Sequence, residues 1–183
     1  MRDPVALELR RQLARMEAAE RRMSMMLIPG KVGPVDPERR RLRLKLGKNS
    51  KGEDVLGPWT RWQEAGVGQL SIHSEPGGDE QMMLISLSGT VGAGSIAIPA
   101  TFDQDHAAPS KASDLSMFAR GQTRIEMKGD QLVFRAGGCT AVLDAAGWQT
   151  LGGGVFHDDV QIGKDHVHED VEPGGALSGK PPR

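Results

Sequence analysis

From Thr123 to Ile162 short alternating segments recur every eight to ten residues: Thr123 to Lys128, Gln131 to Arg135, Thr140 to Asp144, Trp148 to Leu151 and Val160 to Ile162. Gly residues or a Lys-Gly-Asp turn separate them. Strands this short expose one row of side chains to each side and cannot bury a face within one chain. Two arrangements remedy this: a single-chain solenoid, or several identical chains wrapped about one axis. Four or five rungs are thin for a solenoid, so the spacing predicts an intertwined trimer. Composition points the same way. Aromatic residues make up 4% of the 183, Tyr is absent and Gly is abundant at 24, which suits a narrow prism filled by small aliphatic side chains better than an ordinary core.

Upstream the patterning is different. Asp3 before Pro4 reads as an N-cap and first helical position, and Val5, Leu9, Leu13 and Met16 form one apolar stripe on a helix running to about Met23. The helix belongs to an arm over residues 1–26 that packs either on its own domain or on another chain. From Leu27 the period falls to two: Leu42, Leu44 and Leu46 alternate with Arg41, Arg43 and Lys45, and Val35-Asp36-Pro37-Glu38 supplies the turn back to Gly30-Lys31-Val32. Further alternating runs lie at Leu70 to Ile72, Met83 to Leu87 and Ser95 to Ile98. About five short strands in this space suit a small closed barrel over residues 27–103, because closure removes exposed edges. Residues 104–119, rich in Asp, Ala, Pro, Ser and Lys, read as a linker to a needle over 120–162 and a tip over 163–183.

Charge is nearly balanced, at a formal net −1, but the first third is rich in Arg and Lys while the stretch from His157 to Glu172 carries carboxylates against a single Lys. Such runs are most often solvated faces, and no specific nucleic-acid partner is expected. The single Cys139 lies in an alternating stretch and is expected to act as a small buried hydrophobe. No secretory apolar run opens the chain, and no segment reaches the roughly 18 apolar residues that span a bilayer, so synthesis in a cytoplasm is expected. Nucleophile elbows, phosphate loops and paired-Cys zinc motifs are missing from the sequence. His73, His106 and His157 read as surface, linker and turn residues.

The chemistry concentrates in Asp165-His166-Val167-His168. On an extended strand, residues two apart project to one side, about 6.5 Å apart along the chain. Borderline metals such as zinc or iron take imidazole readily; one chain offers two ligands, and three chains about a threefold axis offer six.

These features together carry a resemblance. The run Gly30-Lys31-Val32 through Leu46, the Trp59 and Trp62 pair, Ser88-Gly89 leading to Gly94-Ser95-Ile96-Ala97-Ile98-Pro99, Gly121-Gln122-Thr123-Arg124-Ile125-Glu126, and His166-x-His168 followed by Val171 and Pro173-Gly174-Gly175 resemble the baseplate assembly protein V family. These are the central spikes of contractile-tailed phages and related bacteriocins. The resemblance covers most of the chain from about Leu27. It implies a mainly β protein: an oligonucleotide/oligosaccharide-binding (OB) barrel after the N-terminal helix, then an intertwined triple-stranded β-helix. It also implies a homotrimer in the virion baseplate, contacting the hub protein of the tail and directed at the bacterial outer membrane. His166 and His168 of each chain would hold one iron ion per trimer, and no catalysis is implied. Glu169-Asp170 stand where the family often has glycines, implying a more acidic tip.

Two other readings use the same residues. His166, His168 and Glu172 have the His-x-His-x3-Glu spacing of a cupin-type metalloenzyme, with Gly179 at a compatible distance. However, Val160 stands where that motif has Gly, and 11 residues after Glu172 leave little room for its second half. A nucleic-acid-binding barrel would need aromatic platforms for stacking, for which Trp59 and Trp62 are the candidates.

Overall fold

The computed structural model describes residues 3–163 and Gly174. It is mainly β, with one N-terminal helix followed by sheets, and it divides into two units, Met1–Ala108 and Pro109–Arg183.

In the first unit, Asp3 has extended backbone and its carboxylate accepts from the Val5 amide at 2.9 Å, satisfying an amide the first turn leaves unpaired. Helix α1 follows over Pro4–Ser24, with Pro4 at a position where a missing N–H costs nothing and Arg21 and Arg22 in the last turn, where cations suit the helix dipole. None of its residues is buried. Strands β1 (Leu27–Asp36), β2 (Arg41–Lys48), β3 (Asp54–Leu56), β4 (Arg61–Trp62), β7 (Gln81–Ile85) and β8 (Ile96–Pro99) form a six-stranded sheet in the order β3-β2-β1-β7-β8-β4. The pair β5 (Gly66–Val67) and β6 (Ser71–Ile72) forms a separate small hairpin.

Alternation decides the core. Leu42 and Leu44 point inward and pack with Val32, Trp62, Met82, Leu84 and Ala97, all buried, while Arg43 turns outward to bond the Gly57 carbonyl at 2.7 Å. The register of β1 on β2 slips between Val32 and Val35, where Gly33-Pro34 forms a bulge, and a second slip on β2 and β3 falls between Lys45 and Gly47. Bulges of this kind bend a strand and increase its twist. A Cβ on Gly33 would meet the Arg43 carbonyl oxygen at 3.0 Å, so a side chain there would crowd the bend.

The closed barrel expected for this region is not formed. β4 pairs with β8 in parallel, and between the β4 end and β2 there is only an isolated bridge, in which Thr60 exchanges two 2.9 Å backbone bonds with Leu42. A full ladder cannot form there because β3 already covers the far end of β2 and β4 is two residues long. The buried Thr60 hydroxyl is satisfied by the Ser95 carbonyl.

In the second unit, β9 (Leu115–Arg120), β10 (Thr123–Lys128), β11 (Gln131–Ala136), β12 (Cys139–Asp144) and β13 (Gly147–Leu151) form one antiparallel meander in chain order. β9 begins inside the stretch expected to be a linker. Every connection has two residues: Gly121-Gln122, Gly129-Asp130, Gly137-Gly138 and Ala145-Ala146. Gly121, Gly129 and Gly137 have φ of +59°, +54° and +57° at the first turn position, the left-handed backbone that twisted hairpins require. A last hairpin, β14 (Phe156–His157) with β15 (Val160–Gln161), turns through Asp158 and Asp159, both at positive φ. The short strands thus find their backbone partners within the chain, contrary to the reading that each needs sister chains. Burying a side-chain face is a separate matter.

Candidate functional site

Residues paired in register share a face of a sheet, and each step along a strand changes face. Across the meander Phe118 pairs with Ile125, Ile125 with Phe134, Phe134 with Ala141 and Ala141 with Thr150. Two residues along, on the same face, lie Met127, Leu132, Leu143 and Trp148. With Ser116, which pairs with Met127, the two rows hold ten positions, of which eight are apolar. The face is open: Phe118 is 66% exposed, Trp148 60%, Leu143 44% and Phe134 37%. Phe134 and Trp148 lean together, ring centroids 6.1 Å apart. Cys139 lies on this face at its edge and is exposed, not buried as expected. A buried site for it needs a second layer, which the described residues do not place there.

The opposite face is mixed: Arg124, Glu126, Lys128, Gln131, Arg135, Thr140, Asp144 and Gln149 share it with Leu115, Met117, Ala119, Val142 and Leu151. Arg135 reaches Glu126 at 3.3 Å and Thr140 at 3.4 Å, and Asp144 accepts from Gln131 and from Gln149, each at 3.4 Å. Val133, between Glu126 and Val142 in register, is the buried hydrophobic residue of this unit among the described residues. It sits on this mixed face, where long bonded side chains shield an apolar neighbour while their charges stay in water. The two faces therefore differ in degree: one is mixed and laced by hydrogen bonds, the other is mostly apolar and open. An apolar patch of this kind marks a contact surface.

The sequence reading missed this face because its members are spread over five strands. The signal was present in the two-residue Gly turns, which set register and so decide which alternating residues line up.

His166 and His168, the expected metal ligands, lie outside the described residues, as do Glu169, Asp170 and Glu172. Among the described residues no group of three or more His, Cys, Asp or Glu could hold a metal ion. Several other ionisable residues are engaged in pairs. Lys31 bonds Asp105 at 2.5 Å and lies 3.2 Å from Asp103; Lys45 bonds Asp79 at 2.5 Å; Lys48 lies 2.6 Å from Asp54. The hydrogen bonds to Asp105 and Asp103 raise the Lys31 pKa, and that to Asp79 raises that of Lys45. These lysines are matched internally rather than offered to a polyanion. His73 bonds Glu64 at 2.6 Å, and Glu64 also accepts from the Ser74 amide and the Trp62 indole. The Ser74 amide above all, then His73, hold the Glu64 carboxyl below its ordinary value.

The two tryptophans do not form a stacking platform. Trp62 is 7% exposed in the core, and Trp59 lies at the surface with the Arg43 guanidinium 6.0 Å from its ring centre. No helix among the described residues is long and apolar enough to cross a membrane. No protein-family model matches the chain, and comparison with curated proteins gives no significant match.

Proposed function

We propose that this chain is one protomer of a homotrimeric central spike in a contractile phage-like baseplate, a structural and non-catalytic device that pierces the bacterial outer membrane. The observation that carries this reading is the open apolar face of the β9–β13 meander. Three copies placed about one axis, each turning that face inward, would cover it and leave the mixed, hydrogen-bonded face outside. The axis needs small or flat side chains, and the face supplies Ala, Leu, Ile, Met, Phe and a single Trp. The expected winding of three chains into a β-helix is a property of that assembly, in which the edge strands β9 and β13 of neighbouring copies come near each other. Stiffness follows because the buried surface belongs to no single chain, so bending one protomer exposes the other two.

The first unit is the base in this reading, and the baseplate hub is its partner. The resemblance of residues 27–175 to spike proteins supports that division of labour. At the far end His166 and His168 would hold iron. Neutral imidazole suits iron, and six such ligands from three chains fill an octahedral ion with no position left for substrate. When bound, the ion ties three chain ends together where apolar surface runs out.

The test is sedimentation with metal analysis on the full chain. A trimer that persists on dilution, with one metal ion per three chains, is the expected result. His166→Ala with His168→Ala should lose the ion and keep the trimer. A well-folded monomer at low concentration overturns the reading.

A further inference from the structure

Helix α1 spans 21 residues without burying one. It is held to the first sheet at its C-terminal end, where the Arg22 backbone crosses Gly89 and the Met26 carbonyl accepts from the Ser86 amide at 2.8 Å. Most helical stability in proteins comes from packing an apolar face, which this helix does not do within its own chain. Val5, Leu9, Met16 and Met23 are 73%, 60%, 59% and 61% exposed.

The spacing of these residues is informative. Val5, Leu9, Gln12, Met16, Ala19 and Met23 follow one another at intervals of four, three, four, three and four, the alternation of a coiled-coil seam. One polar residue in an otherwise apolar seam is the usual means of setting register, and Gln12 is in that place. Leu13 adjoins the seam and widens it, as in helices that face more than one neighbour. Charge fits as well. In a parallel pair, the residue before a seam position faces one five residues further along the other helix, which sets Arg15 against the partner's Glu20.

We propose that α1 pairs with the α1 of other copies of this chain in a parallel, in-register coiled coil. Rotation about an axis preserves direction along it, so helices that run along a shared rotation axis are parallel and in register. The number of strands, three, rests on the spike reading above; the pairing itself does not. Tethering to a common assembly raises the local concentration of the helices, and a seam of three heptads needs that help.

The experiment uses the full chain with Cys139→Ser and one new cysteine, at Met16 in the seam or at Ala14 on the opposite side. Under mild oxidation Met16→Cys should form covalent pairs about tenfold faster than Ala14→Cys, because seam positions of parallel helices lie side by side. Arg15→Glu should slow this pairing, and adding Glu20→Arg should restore it. Equal rates at Met16 and Ala14 within a sedimenting trimer overturn the coiled coil and leave the spike reading intact. Seam-selective pairing in a dimer supports the coiled coil and overturns the threefold assembly. Monomers without selective pairing overturn both.

Discussion

The two sheets solve the same problem differently. The first bends through bulges at Gly33-Pro34 and Leu46 until it folds over its own side chains, and Val32, Leu42, Leu44, Met82, Leu84 and Ala97 become buried inside one chain. The second has four tight turns and no register slip in its ladders, so it stays a simple layer with one apolar side exposed. Curvature, more than composition, separates a sheet that makes its own core from one that needs a neighbour. Both alternate apolar and polar residues, and both contain hydrophobic strands. The bulge lets one of them enclose what the other leaves exposed.

That contrast can be broken at defined places. Phe134→Asp together with Trp148→Lys should abolish assembly altogether, read by sedimentation, while the first unit keeps its near-ultraviolet signal from Trp62; an intact oligomer would show that the apolar face is not the contact. Leu42→Ala acts on the other side of the comparison. It should destabilise the first unit by about 2–5 kcal/mol, the range for a large-to-small change in a packed core, and leave the oligomeric state unchanged in chemical denaturation followed by sedimentation.

The smallest effect is expected in acid. Glu64 has a folded pKa below its ordinary value, so its contribution is complete above the ordinary carboxylate range and is lost as pH falls through the folded value. The segment from Glu64 to Ser74 should therefore loosen in acid before the core does, seen as faster hydrogen exchange at the Ser74 amide. Glu64→Gln should remove that pH dependence. Unchanged acid sensitivity in the variant would assign it to another group.

Local chemistry was legible in the sequence, and distant pairing was not. Asp3 and Pro4 mark the start of α1 as the sequence suggests, and β10 occupies Thr123–Lys128 as its alternation predicts. Leu42 and Leu44 face inward with Arg43 outward, again as alternation requires. By contrast, β4 is two residues long and parallel to a strand more than thirty residues later, and no local pattern announces such a pair. The closing bridge from Thr60 to Leu42 is invisible for the same reason. β9 was hidden because Leu115–Arg120 carries a weak alternation next to a polar, Pro-containing stretch. Cys139 was misplaced because alternation tells which residues share a face but not whether that face is covered. His166 and His168 were read from their spacing, and they lie outside the described residues.

Because each strand from β9 to β13 meets its chain neighbour across two residues, the second sheet can zip up without waiting for remote segments. Hairpins with such short connections form within microseconds, whereas the first unit must bring β1 to β7 and β4 to β8 before it is complete. In the proposed trimer, joining of chains would be slower still, since its rate depends on how often finished sheets collide. On that proposal the hazardous interval in the life of this molecule would be a wait for company, with a greasy side wet and open to wrong partners. Crowded translation of one message, where sister chains emerge close together, would shorten that wait.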